Sequence, residues 1–141
     1  INLKHIHDNV DDFIMADEAC FSPQDALNIA KSNACDGINI KLMKCGGMQN
    51  AQAIYNIATT ANIKLMVGCM LESPIGIAAI ASFAVSTRDI LFADLDPIAL
   101  IRENYVIGGA SLNGNEVILS NKAGLGIEGF KQGFSPVCEV K

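Results

Sequence analysis

Lysines and arginines nowhere cluster in this sequence, and its formal net charge is −5. The positive footprint that a nucleic-acid partner requires is therefore missing, which leaves small molecules or proteins as partners. An apolar run of about eighteen or more residues, the length a membrane-spanning helix needs, does not occur either. The opening stretch, INLKHIHDNVDD, lacks the apolar centre of a secretory signal, so a soluble, cytoplasmic protein is expected. The five cysteines, Cys20, Cys35, Cys45, Cys69 and Cys138, are odd in number and show neither a C-x-x-C pair nor the spacing of zinc ligands. Free, buried thiols are the expected state. Gly46-Gly47 lacks the surrounding pattern of a dinucleotide or Walker loop, so a tight turn is the better reading than a phosphate cradle.

What is present is apolar and rhythmic. Hydrophobic residues make up 50% of the 141, and a chain of this length buries roughly 68–70% of its unfolded surface, enough for one compact unit. Residues 13–16, 37–43, 63–67 and 90–93 are four apolar runs of strand length. After the first, Ser22-Pro23-Gln24-Asp25 offers a capping serine, a proline at the first helical position and a carboxylate in the first turn, predicting a helix through Ser32. After the second, Met48, Ala51, Ile54, Tyr55, Ala58 and Ala61 recur at helical spacing. After the third, Ser73-Pro74 repeats the cap and starts a helix to about Ser86, so apolar that it must be buried on several sides. Leu3, Ile6 and Val10 mark a short amphipathic helix at the start.

The strand ends fall at Asp17, Lys41, Cys69 and Asp94, roughly 25 residues apart, the rhythm of consecutive βα units. Continuous apolar strands joined by helices predict an α/β fold with a parallel sheet, as in a barrel or a doubly wound fold. A complete (β/α)8 barrel takes ~250 residues, so residues 1–103 would form about half of one. From residue 104 onward, glycines frame a single β-like run at 116–120, and residues 104–141 read as a short tail with no clear signal after Phe130. The first helix has no strand before it and the chain opens on Ile rather than Met, so a fragment, a truncated reading frame or a non-standard start is expected.

Catalytic groups in parallel α/β folds sit where strands end. Asp17 suits a hard cation such as Mg²⁺, the plainer alternative being a helix cap. Adjacent Glu18 should point to the opposite face in an extended segment. A partly buried Lys41, its pKa lowered toward the working pH, could act as a general base, the alternative being a lysine that lays its stem along the sheet edge. Lys44 is expected to be solvated. Asp94 and Asp96, two apart, share a face and attract a metal or an ammonium, unless Asp96-Pro97 merely starts a turn. His5 and His7 lie on different helix faces and make a poor metal pair. Cys69 has no histidine placed to activate it and reads as packing.

The stretches IMADEACFSPQDA, DGINIKLMKCGG, MVGCMLES and FADLD, followed by NKAGLGIEG, occur in an order that resembles the muconate-lactonizing subgroup of the enolase superfamily, most closely its L-Ala-D/L-Glu (dipeptide) epimerases. The resemblance covers nearly the whole chain to Gly129. It implies the C-terminal half of a TIM-type barrel, about strands 5 to 8, with the tail joining a capping domain. Asp17 would be the last of three carboxylate ligands of one Mg²⁺, and Lys41 one of two lysines flanking the substrate α-carbon. Cys69, Met70 and Leu71 would present backbone groups to the substrate carboxylate, and Asp94 with Asp96 would hold the dipeptide's α-amino group. The implied reaction is a 1,1-proton transfer at the α-carbon of the dipeptide's C-terminal residue. Other readings are a cycloisomerase or N-acylamino-acid racemase of the same subgroup, or a non-catalytic remnant.

The same resemblance implies two more metal ligands, a first lysine and a capping domain, none of which has a counterpart here. The expected partners are thus a small dipeptide and either an N-terminal half or further copies of the chain. One carboxylate is a poor Mg²⁺ site, because this ion demands near-octahedral ligation. The 141-residue chain alone should therefore show little or no epimerisation of L-Ala-L-Glu; a polarimetric assay that found rapid turnover would contradict the assignment of the remaining groups to other polypeptide.

Overall fold

The computed structural model describes residues 2–134. Cys138 and the rest of residues 135–141 lie outside the described part. In chain order the elements are α1 (Leu3–His7), β1 (Met15–Ala16), α2 (Pro23–Ser32), β2 (Gly37–Ile40), α3 (Leu42–Cys45), α4 (Met48–Thr60), β3 (Lys64–Val67), α5 (Pro74–Ser86), β4 (Ile90–Ala93), α6 (Pro97–Leu100), β5 (Val106–Gly108), β6 (Ala110–Asn113), β7 (Glu116–Leu119) and β8 (Ile127–Phe130).

β1 to β4 form one parallel sheet in sequence order. Helical crossovers cover the sheet, so central strands bury both faces; all four residues of β2 are buried. The stripe Ala26 and Ile29 of α2 meets Ala51, Ile54 and Ala58 of α4, and α4 leans on β2 and β3. α5 buries Ile77, Ala78, Ile80, Ala81 and Phe83 between the sheet core and the later β6 and β7. That surround explains its missing polar face. The later strands pair antiparallel, β5 with β8 and β6 with β7, and Tyr105 stacks on Phe130 and Phe134.

Local chemistry sets the boundaries. Ser22 Oγ accepts from the Asp25 N–H at 3.2 Å, and the Asp25 carboxylate accepts from the Phe21 N–H at 3.0 Å, one residue before the cap, so the start of α2 is fixed from both sides. Ser73 Oγ likewise accepts from the Gly76 N–H at 3.2 Å. Gly46 and Gly47 adopt φ of 82° and 110°, the left-handed region that a tight turn between α3 and α4 requires. Asp36 joins three elements: its carboxylate accepts from the Ile14 N–H at 2.8 Å and lies 3.3 Å from His7 Nε2. His7 thus faces a carboxylate through Nε2. Cys20, Cys35 and Cys45 are buried free thiols and Cys69 is a half-buried one.

Several expectations need correction. The first strand is two residues long, not four, and Phe13 is half exposed. β2 ends at Ile40 rather than Met43, because Lys41 starts a single helical turn that Gly46 closes. α1 ends at His7 and buries none of its residues, so its apolar stripe is shorter than the spacing of Leu3, Ile6 and Val10 suggested. Among the described residues no helix is long and apolar enough to cross a membrane.

One close approach joins β2 to the residue after β3. A Cβ on Gly68 would lie 2.6 Å from Asn39 Oδ1 and 2.7 Å from its Nδ2, closer than real contacts allow. Gly68→Ala should therefore destabilise the chain by about 1–3 kcal/mol through overpacking. Adding Asn39→Ala should recover part of that loss, a coupling readable from urea denaturation of the two single variants and the double.

Candidate active site

Parallel pairing of β1 with β2 sets Ala16 opposite Ile38, so both strands deliver their next polar residues to one end of the sheet. Past Ala16 the chain leaves the extended state, with the Cys20 N–H donating to the Asp17 carbonyl at 3.0 Å. Asp17 and Glu18 consequently do not diverge to opposite faces. Lys41 Nζ reaches both, at 2.8 Å from Asp17 Oδ2 and 3.3 Å from Glu18 Oε1.

Lys44 is the larger surprise. Its side chain is 2% exposed rather than solvated, and its ammonium lies 2.6 Å from Asp17 Oδ1. It also donates to the Asp17 carbonyl and, at 3.1 Å, to the Asn39 carbonyl, with the Phe21 ring beside it. The single turn of α3 brings this about, since it folds residue 44 back over the strand ends instead of carrying it outward along a longer β2. Asn39, buried in β2, donates from Nδ2 to Asp17 Oδ2 at 3.3 Å.

These contacts govern the electrostatics. Burial pushes the Asp17 carboxyl up, but the hydrogen bonds and charges of Lys41 and Lys44 outweigh it and hold the group below its ordinary value. Burial likewise works to lower Lys41, yet the Asp17 and then the Glu18 carboxylates prevail and hold its pKa above the ordinary lysine value. The expected lowering of Lys41 toward the working pH is thus reversed by the two carboxylates at its head.

The strand-end residues of β3 and β4 form a second group. Cys69 Sγ lies 3.0 Å from the Asp94 carbonyl and 3.9 Å from Asp96 Oδ1. Burial, with the nearby charges of Asp96, Asp94 and Glu72, pushes this thiol to about 12, which leaves it inert as a nucleophile at neutral pH. Asp94 and Asp96 are exposed and line a groove of about 420 Å³ with Leu112, Asn115 and Val117. Met70 and Leu71 are also exposed. Of the backbone groups anticipated for a substrate carboxylate, those of Met70 are engaged by Glu72: its N–H lies 3.5 Å from Oε1 and its carbonyl accepts from the Glu72 N–H at 2.7 Å.

Glu72 had not been singled out. It is 5% exposed, and its Oε1 also lies 3.4 Å from the Met43 N–H, so it ties the loop after β3 to the turn after β2. Met43 and Met70 then flank a cavity of about 170 Å³ completed by Glu18, Phe21 and Lys44. The available signal for Glu72 was its place directly before the Ser73-Pro74 cap. For Lys44 it was the glycine pair two residues on, which leaves room for only one helical turn after Lys41.

As a metal site the described residues are incomplete. Asp17 can give a hard cation one carboxylate, but both its oxygens already meet lysine ammonium groups, and no cluster of three His, Cys, Asp or Glu forms among the described residues. By themselves they do not fit Mg²⁺.

Residues 2–131 match the family model described as Enolase C-terminal domain-like. An L-Ala-D/L-Glu epimerase of Clostridium acetobutylicum is 43% identical over 127 residues, which are 90% of this chain and 36% of that protein. Among solved structures, a substrate-liganded complex of the L-Ala-D/L-Glu epimerase from Bacillus subtilis aligns with a TM-score of 0.88 at 39% identity, covering 92% of this chain and 36% of that one. The dipeptide epimerase from Enterococcus faecalis V583, complexed with Mg and the dipeptide L-Leu-L-Tyr, aligns with a TM-score of 0.84 at 46% identity, covering 89% of this chain and 36% of that one. The chain thus spans about a third of the length of the relatives it matches.

The lowered pKa of Asp17 gives a pH signature. A depressed carboxylate contributes stability that is fully present above its unfolded value and is lost as pH falls through its folded value. Thermal unfolding of the chain should therefore lose stability as pH drops from about 4 downward, and Asp17→Asn should remove that part of the acid dependence. An unchanged acid profile in the variant would show that the lysine pair does not stabilise the fold.

Proposed function

The chain belongs to the enolase C-terminal domain-like family, and on that premise we propose that it supplies the C-terminal part of a dipeptide epimerase. The observation that carries this is the Lys41–Asp17 contact of 2.8 Å at the ends of adjacent parallel strands, in a chain more than a third identical to epimerases along nearly all its length. On this reading β1 to β4 are strands 5 to 8 of a (β/α)8 barrel, residues 1–103 belong to the barrel and residues 104–141 join a capping domain. The remaining groups of the site come from polypeptide outside these 141 residues.

In the proposed reaction Lys41 Nζ serves one face of the substrate α-carbon. Held as an ammonium by its carboxylates, it delivers a proton in one direction and recovers it in the other, while a second base on the opposite face completes the 1,1-transfer. Asp94 and Asp96, both exposed just past the end of β4, hold the dipeptide's α-ammonium. Cys69 and Leu71 present backbone groups toward the substrate carboxylate. In a complete site Asp17 would be one carboxylate ligand of Mg²⁺, the other ligands lying elsewhere. Such a site would supply electrostatic stabilisation of negative charge on the substrate carboxylate, which lysine alone cannot offset.

In a complete enzyme that includes this chain, α-proton exchange of L-Ala-L-Glu and of a hydrophobic dipeptide in D₂O, followed by ¹H NMR, tests the proposal. Lys41→Met should slow exchange by about 10²–10⁴-fold. Changing both Asp94 and Asp96 to Asn should raise KM for dipeptides with a free amine while leaving unfolding temperature unchanged. A folded, Mg²⁺-supplied enzyme that exchanges the α-proton of no dipeptide would overturn the reading.

A further inference from the structure

Lys44 has no role in the reaction as proposed, yet it is the most deeply buried charge at the site. An ammonium has three protons to donate. Three oxygens receive them here: Asp17 Oδ1 at 2.6 Å, the Asp17 carbonyl, and the Asn39 carbonyl at 3.1 Å. With its side chain 2% exposed, no donor remains for a substrate, so Lys44 cannot act on one directly. Burying an ammonium costs several kcal/mol and is tolerated only where its partners are well placed. These partners are all at the ends of β1 and β2, and one of them is the carboxylate whose orientation the site depends on.

The neighbouring groups divide the carboxylate between them. Lys44 takes Oδ1 from within, while Lys41 at 2.8 Å and Asn39 Nδ2 at 3.3 Å take Oδ2. The Asn39 amide is itself oriented by Asp17, since the reverse orientation would set its oxygen against a carboxylate oxygen. We propose that Lys44 is a positioning residue, whose ammonium pins Oδ1 and the backbone carbonyls of Asp17 and Asn39, so that Asp17 turns a single oxygen, Oδ2, toward Lys41. The consequence for catalysis rests on the epimerase reading; the geometric claim does not.

Two measurements on the 141-residue chain test the geometry. In the unaltered chain the Lys44 ammonium protons should exchange with water at least about tenfold more slowly than those of exposed Lys64, because all three are hydrogen-bonded away from solvent. Equal exchange would overturn the proposal even if every Lys44 variant failed to fold. In Lys44→Met, the Hα–Hβ couplings of Asp17 should change from those of one staggered rotamer to averaged values, and Lys44→Arg should retain the single rotamer. A single Asp17 rotamer in Lys44→Met would also overturn it.

In a complete enzyme, Lys44→Met should lower kcat by about 10- to 100-fold, the scale of a misplaced reacting group, with dipeptide KM changed by no more than about twofold. Lost activity with Asp17 still in one rotamer would count against positioning. An unaltered complete enzyme inactive on dipeptides would refute the epimerase reading instead, with the coupling and exchange results still deciding the role of Lys44.

Discussion

A carboxylate held between two ammonium groups at the mouth of a parallel sheet is the constraint on which the rest of this site depends. Asp17 sits at the end of β1, and Lys41 and Lys44 approach its two oxygens at 2.8 and 2.6 Å. Such a cluster is costly to assemble, because each charge loses water on the way in. It becomes tolerable when the backbone brings all the groups together without further adjustment. Parallel pairing of β1 and β2 sets Ala16 opposite Ile38 and brings both strand ends to one side of the sheet, and the single turn of α3 returns Lys44 over them. The net result favours charge on both sides: the carboxyl is held low and Lys41 is held high.

The hydrophobic framework keeps that arrangement in place. β2 is buried along its whole length, and Ile38, Ile40, Leu65 and Val67 fill the space between sheet and helices with almost no exposure. Gly68 then permits Asn39 to lie flat across the neighbouring strand, where any larger residue would collide with its amide. Glu72 connects the next loop to the same turn through the Met43 and Met70 N–H groups. Packing and polar contacts thus act in series, the first fixing strand positions and the second fixing side chains at their ends.

Much of the fold was legible before any coordinates. Ser22-Pro23 and Ser73-Pro74 marked α2 and α5 because capping acts over three or four residues. The helical spacing of Ala51, Ile54 and Ala58 marked the buried face of α4. The errors fell where short apolar runs meet turns. Residues 37–43 read as one strand because Leu42 and Met43 are as apolar as the strand itself, and periodicity cannot separate a buried strand from one turn of buried helix. That boundary error carried Lys44 into solvent on paper. The expected pKa of Lys41 differs for another reason: burial alone predicts a lowered value, and only the approach of Asp17 and Glu18 reverses its sign.

By itself, the sequence determined the alternation of strand and helix, the caps that start the helices, and which residues stand at strand ends, including Asp17, Lys41, Cys69 and Asp94. All of these follow from interactions among residues a few places apart. Tertiary structure alone decided which strand ends meet and which charges neutralise one another. Lys44 and Asp17 are 27 residues apart, and Glu72 and Met43 are 29 apart. Their contacts depend on parallel register and on one short helical turn, and local pattern carries neither.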